Sequence, residues 1–228
     1  MKPGVALALA LVAPFALASC GGGDEAPELT AEERLAEAKT ALDETSGVHL
    51  DLRADKLPPG VNGLLAADGV GTHAPAFEGD IQVSTGGLTA KAAVVAVDGT
   101  VYAVLPFTTD YAEIDPADYQ APDPAVLMSE EGGLSSLLTS VEGLEEGEDV
   151  RAGEEVLSTF SGTLSGDVVA GVIPSAQSDA DFDATFTLDD GNQLNKVVMT
   201  GPFYPEADAV TYTIEFDQYG TDQDIQAP

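Results

Sequence analysis

LTAKAAVVAVDGTVYAVLPF, residues 88–107, is the stretch that decides the fold. Asp98-Gly99 is a two-residue turn between alternating side chains, the strongest short-range signal for a β-hairpin. Pairing Val97 with Thr100 sets the register. Ala90, Ala92, Val94 and Ala96 then share one face with Phe107, Leu105, Ala103 and Val101, while Lys91 and Tyr102 lie on the other. The first face is wholly apolar, so it is the one a core must cover.

The same period of two extends in both directions from the hairpin. Upstream, Val48, Leu50, Leu52 and Ala54 alternate with His49, Asp51, Arg53 and Asp55 until Pro58-Pro59-Gly60 closes the strand, and Phe77, Ile81 and Val83 continue the theme. Downstream, one apolar face is carried by Val156, Ser158, Phe160, Gly162 and Leu164. A second run is Phe182, Ala184, Phe186 and Leu188, and a third is Val210, Tyr212, Ile214 and Phe216.

Helical spacing appears in three places. Thr30-Ala31-Glu32-Glu33 is a capping box, and Ala31, Leu35, Ala38 and Leu42 predict an amphipathic helix over residues 31–46, ended by Gly47. Asp123-Pro124 has the form of an N-cap with proline at the first helical position, predicting a short helix that ends at Gly132-Gly133. Leu134, Leu137, Leu138 and Val141 repeat at i, i+3, i+4 and i+7, the stripe of a helix stopped by Gly143. Antiparallel strands with segregated helices give an α+β class.

At the amino terminus Lys2 precedes an apolar run from Val5 to Leu17, and then Leu17-Ala18-Ser19-Cys20. The run is shorter than the roughly 20 residues a spanning helix needs, so it reads as a secretory signal. An aliphatic residue, two small ones and the chain's only cysteine form a lipobox, which predicts cleavage before Cys20 and lipidation on it. The expected division is a signal peptide over 1–19, lipidated Cys20 with a glycine-rich tether over 20–29, and one domain over 30–228. Residues 21–27 (GGGDEAP) reach on the order of 15 Å as a flexible coil. The expected location is the extracytoplasmic face of the cytoplasmic membrane, lipid-anchored.

Composition narrows the function. The chain of 228 residues carries 40 acidic and 8 basic side chains, a net charge of -32. Such a surface repels phosphate backbones, which excludes nucleic acid as a partner. No G-x-S-x-G, H-E-x-x-H, C-x-x-C or phosphate loop is present, so no catalytic residue, metal ligand or cofactor is assigned and the chain reads as a non-enzyme. His49 is a solvated strand position, and His73, beside Pro75, falls in a bend. Asp179, Asp181 and Asp183 have the spacing of calcium-loop ligands, but Ala184 and Asp190 stand where glycine and glutamate belong. Strand alternation explains them.

The apolar face of the hairpin is built of alanine and valine, and Gly79 and Gly162 interrupt others. Because interiors pack to crystal density, either helices press closely onto this sheet or a cavity lies between.

Several segments, in order along the chain, resemble the actinobacterial LppX/LprG lipoprotein family. They are the lipobox, the helix opening at Thr30, the strand ending before Pro58-Pro59-Gly60, Asp98-Gly99-Thr100-Val101-Tyr102, Phe160 to Gly166, and Val168 through Ile173-Pro174. The resemblance implies a strongly curved antiparallel sheet, a half-barrel, with helices on its concave side and a hydrophobic cavity between. It implies carriage of multi-acylated lipids, among them triacylglycerol and phosphatidylinositol-derived glycolipids, from the cytoplasmic membrane toward the outer envelope with a major-facilitator exporter. The candidate cavity lining is then Leu50, Leu52, Ile81, Ala92, Val94, Val101, Ala103, Leu105, Leu137, Phe160, Phe186 and Ile214. The alternative is a structural or assembly lipoprotein with a filled core and a protein partner.

Overall fold

In the computed structural model, residues 29–119, 121–153 and 155–228 are described. The expected signal peptide, Cys20 and nearly all of the tether lie outside them.

Helix α1 spans Ala31–Glu44 and opens on the capping box read in the sequence: Thr30 Oγ1 accepts from the Glu33 N–H at 3.2 Å, and the Thr30 N–H donates to Glu33 Oε2 at 2.8 Å. Twelve strands follow: β1 (Gly47–Ala54), β2 (Gly63–Thr72), β3 (Ala76–Thr85), β4 (Leu88–Val97), β5 (Thr100–Val104), β6 (Tyr111–Ile114), β7 (Glu142–Glu146), β8 (Val150–Ala152), β9 (Glu155–Ser165), β10 (Asp181–Leu188), β11 (Leu194–Gly201) and β12 (Val210–Asp217). Helix α2 (Gly166–Val172) links β9 to β10. The sheet is antiparallel and open, in the order β6-β5-β4-β3-β2-β1-β12-β11-β10-β9-β7, with β8 paired to β9. β1 beside β12 joins the two halves of the chain.

The hairpin forms in the expected register, with Val97 opposite Thr100, Ala96 opposite Val101 and Val94 opposite Ala103. Asp98 and Gly99 both take positive φ, as a two-residue hairpin turn requires. β5 stops earlier than the pattern implies. Pro106 has no N–H for a ladder, Leu105 is only half-buried beyond the strand, and Phe107 sits at φ 70° with its side chain in solvent.

Both mid-chain helices are corrected. Val126–Met128 is a single 3₁₀ turn, and Leu134–Thr139 is a six-residue 3₁₀ helix. The leucines at i and i+3 suit either period. Ser136 Oγ donates to Gly133 O at 2.6 Å and Ser140 Oγ to Ser136 O at 2.9 Å, so serines compete for the backbone and favour short turns. Gly143 is not a helix stop but a strand position in β7, at φ 61° beside a register shift.

Val156 is a further correction. It is 41% exposed while its neighbour Leu157 is buried, because this end of β9 runs past β10 into the two-stranded β8–β9 ribbon. Tyr102 lies on the other face of the hairpin, as expected, and is half-buried there. Ile225 of the C-terminal tail packs with Ala76, Val95, Val97 and Tyr102 on the outer side of the sheet.

Candidate functional site

Following the ladders from strand to strand places the candidate residues. Phe160 lies opposite Phe186, Phe186 opposite Val197, Val197 opposite Ile214, Ile214 opposite Leu52, Leu52 opposite Ala67, Ala67 opposite Ile81, and Ile81 opposite Ala92. One apolar rung therefore crosses eight strands. Side chains directly opposite share a face, so all of these point to the same side. The adjacent rung contains Phe216, Leu50, Gly69, Gly79, Val94, Ala103 and Ala112, and the next contains Val48, Gly71, Phe77, Ala96, Val101 and Ile114. Thus Leu50, Leu52, Ile81, Ala92, Val94, Val101, Ala103, Phe160, Phe186 and Ile214 occupy three consecutive rungs of one inner face. Leu105 follows β5 at its edge, and Leu137 reaches the same core from the 3₁₀ helix.

Packing over this face is uneven. On β9 to β12 it is closed. Phe160, Phe182, Phe186 and Phe203 are each almost wholly buried, and Phe203 meets Phe182 and Tyr212 edge to face at 4.9 Å. Leu35, Ala38 and Leu42 of α1 belong to the same cluster, and the Arg34 guanidinium lies 5.0 Å from the Phe160 ring centroid. Four buried phenylalanines contribute on the order of 6–12 kcal/mol of gross transfer energy.

Two glycines that read as missing volume are in fact occupied. A Cβ at Gly162 would meet Val141 Cγ1 at 2.4 Å, and one at Gly79 would meet Phe77 Cζ at 2.8 Å and the Asp68 carbonyl at 2.3 Å. Gly71 likewise accommodates Met128 Cγ, 2.5 Å from where its Cβ would stand. Small residues here let a neighbour in; they do not by themselves leave a hole.

The face opens toward the turn between β3 and β4. Ile81, Val83, Ala90 and Ala92 are inner-face positions that are only half-buried, and Leu88 at the end of the row is 73% exposed. Among the described residues, Val83, Ala90 and Ala92 are not packed against either buried cluster. In contrast Val94 and Ala103, one rung deeper, are buried. The row passes from core to open surface within a few residues.

Beside this opening β2 carries an irregularity between Leu64 and Ala66, held by two tyrosines that sequence reasoning did not single out as a pair. The Leu64 N–H donates to Tyr204 Oη at 3.3 Å, and Tyr212 Oη–H donates to the Leu64 carbonyl at 2.8 Å. The two hydroxyls are 2.7 Å apart, so Tyr204 donates to Tyr212 and the ring of bonds is closed. Burial, and then Tyr204, push the Tyr212 hydroxyl well above the usual phenol range.

Two shallow clefts lie elsewhere. One, of about 430 Å³, is lined by Gly99, Thr100, Val101, Glu113, Ile114, Asp115, Pro116 and Asp123. The other, of about 400 Å³, lies along Asp51, Arg53, Ala54, Asp55, Thr211, Thr213 and Glu215. Of the candidate lining only Val101 touches either. His49 is on the outer face, its Nδ1 2.7 Å from Asp217 Oδ1 and its Nε2 3.6 Å from Asp68 Oδ2. Asp181 and Asp183 are exposed on β10 opposite the buried Phe182 and Ala184. Among the described residues no three His, Cys, Asp or Glu side chains gather as a metal site, and no helix is long and apolar enough to cross a membrane.

The family model of the LppX_LprAFG lipoproteins matches residues 30–227. The chain belongs to the LppX_LprAFG lipoprotein family. Its fold is that of two solved mycobacterial members of this kind. LprF from Mycobacterium bovis superposes with a TM-score of 0.70 at 16% identity, over 87% of this chain and 96% of LprF. LppX from Mycobacterium tuberculosis gives a TM-score of 0.63 at 12% identity, over 86% of this chain and 98% of LppX. A search of curated proteins returns no match. As an LppX_LprAFG lipoprotein, the chain is assigned to the cell envelope, and lipid binding is consistent with that membership.

Proposed function

We propose that this LppX_LprAFG lipoprotein binds acylated lipid against the inner face of its sheet and carries it from the cytoplasmic membrane toward the outer envelope. Lipidated Cys20 and the tether hold the domain on the extracytoplasmic side, and the acyl chains lie over the small-residue rows of β3, β4 and β5. One observation carries the reading: a single apolar face passes from buried Val94 and Ala103 to half-buried, unpacked Ala92, Ala90 and Val83. An acyl chain laid along that row shelters about 0.8 kcal/mol per methylene. No bond is made or broken, so the function asks for no catalytic group. A glycolipid headgroup stays at the rim, and a major-facilitator exporter supplies or receives the cargo.

The closed packing of Phe160, Phe182 and Phe186 favours a second reading, a structural lipoprotein with a filled core and a protein partner. Ala92→Trp and Ala103→Trp separate the two. In a carrier, Ala92→Trp fills open space, leaves the melting temperature near wild type and removes lipid found by mass spectrometry of the purified protein. Ala103→Trp overpacks a buried site and costs about 1–3 kcal/mol. A wild-type protein that purifies free of lipid, with Ala92→Trp as destabilising as Ala103→Trp, would falsify the carrier.

A further inference from the structure

We propose that the edge carrying the β3–β4 turn and the β5–β6 loop docks on a phospholipid bilayer, so that acyl chains pass between membrane and inner face without crossing water. Its purpose and the identity of its occupant rest on the lipid-binding reading above; the apolar exposure and the charge distribution do not.

The first observation is apolar exposure. Antiparallel pairing puts the β3–β4 turn and the β5–β6 loop at the same end of the sheet, where β4 begins and β5 ends. Leu88 is 73% exposed there, and Phe107 is as exposed as a side chain can be. Exposed large apolar groups gathered at one edge mark an interaction site. Phe107 is also held at φ 70°, a left-handed conformation that bulky side chains rarely adopt. Thr108 fixes it, its N–H and Oγ1–H both donating to the Leu105 carbonyl, at 3.0 and 2.8 Å. The loop thus spends backbone strain to present an aromatic ring to the outside, and no internal contact of that ring compensates.

The second observation is charge. Residues 81–97 and 100–109 contain no Asp or Glu and one base, Lys91, in a chain that carries 40 acids. The neighbouring β1–β2 loop, tied on by the Gly86 N–H donating to Asn62 Oδ1 at 2.8 Å, contributes Asp55 and Lys56, which offset one another. Asp110 is the last residue of the β5–β6 loop, and Glu113 follows in β6. At a net charge of -32 most of this surface is repelled by headgroup phosphates. This edge, where Asp110 is the only carboxylate of the β3–β4 turn and the β5–β6 loop, is the part that can meet them, so repulsion elsewhere orients the domain edge-on. Val83, Ala90 and Ala92 lie directly behind this edge on the inner face. Continuity with that face, together with the low charge, favours lipid as the occupant.

The chain has no tryptophan, so a single one reports alone. Phe107→Trp and Val150→Trp are compared in the full acylated chain, reconstituted in phosphatidylcholine vesicles with and without dibrominated phosphatidylcholine. Val150 is exposed on β8, near the opposite edge of the sheet, and both variants share the same tether. The Phe107→Trp emission shifts to the blue and loses most of its intensity to bromine, while Val150→Trp keeps its intensity. Equal quenching of both, or of neither, overturns the docking edge.

A second variant, Leu88→Asp with Phe107→Asp, keeps the wild-type melting temperature because both side chains are already in solvent. It slows lipid transfer between vesicle populations by about tenfold or more, since a carboxylate resists entry into the acyl region. Unchanged transfer counts against docking. Failure of the carrier reading looks different: the wild-type protein then holds no lipid, whatever the quenching at position 107.

Discussion

Tyr212→Phe probes the seam where the open face meets the packed one. The substitution keeps the ring, and with it the edge-to-face contact to Phe203, but removes the hydroxyl that donates to the Leu64 carbonyl and accepts from Tyr204. The Leu64 carbonyl loses its donor and the Tyr204 hydroxyl its acceptor, in a site where both tyrosines are buried. A buried polar group left unpaired costs about 1–3 kcal/mol. A domain of this size shifts by about 2–4 °C per kcal/mol, so calorimetry or circular dichroism should show a melting temperature lower by about 6 °C. Tyr204→Phe should cost less, because the Tyr212 hydroxyl keeps its bond to Leu64. The double mutant should fall short of the sum, since the two side chains share one ring of bonds. Hydrogen exchange should quicken at Leu64 to Ala66, where β2 is irregular. A Tyr212→Phe protein that melts within about 1 °C of wild type, or strictly additive single mutants, would refute the closed ring.

Alkaline unfolding follows from the same chemistry. Burial and then Tyr204 raise Tyr212, while burial and then Asp189 raise Tyr219, so both hold their protons more tightly folded than unfolded. Their contribution is complete below about pH 10 and is lost above it at about 1.4 kcal/mol per pH unit per tyrosine, as the unfolded chain alone deprotonates. Urea titrations across that range should show a shallower fall for Tyr219→Phe; an identical slope would remove Tyr219 from the account. At the other end of the chain, Cys20→Ala should leave an unlipidated precursor that stays out of the detergent phase on partitioning. Wild-type partitioning of that variant would end the anchor claim.

How much of this was legible depended on whether the determinants are local. The hairpin register follows from Asp98-Gly99 alone, and the start of α1 from Thr30 and Glu33, because each signal closes within a few residues. The inner-face phase of β1, β10 and β12 was equally readable. β2 was not, since its inner positions include Gly69 and Gly71 and carry almost no hydrophobic signal. Their meaning lies in Phe77 and Met128, which pack over those glycines from elsewhere in the chain. The same non-locality hid Ile225 behind Tyr102, and Tyr204 beneath Leu64. Helical spacing in Leu134 to Val141 was real as burial and misleading as geometry, because i and i+3 satisfy a 3₁₀ turn as well as an α-helix.

The uneven distribution of side-chain size along one continuous sheet also accounts for how an open face can persist. A fold is stable by a narrow margin, so an uncovered apolar row must be offset by dense packing elsewhere. The offset is spatially separate here. Phe160, Phe182, Phe186 and Phe203 anchor the β9–β12 half beneath α1, whereas the β3–β4 end relies on backbone ladders among alanine, glycine and valine. Alanine at 90 and 92 limits the apolar area left in water when nothing lies against it, which larger side chains there would increase. The register then places Ile81 and Ala92 on the same rung as Phe160 and Phe186, so a lipid chain entering over the open end would extend toward the packed aromatics. On the proposed carrier reading, the depth it reaches would be set where Val94 and Ala103 become fully buried, one rung below Ala92.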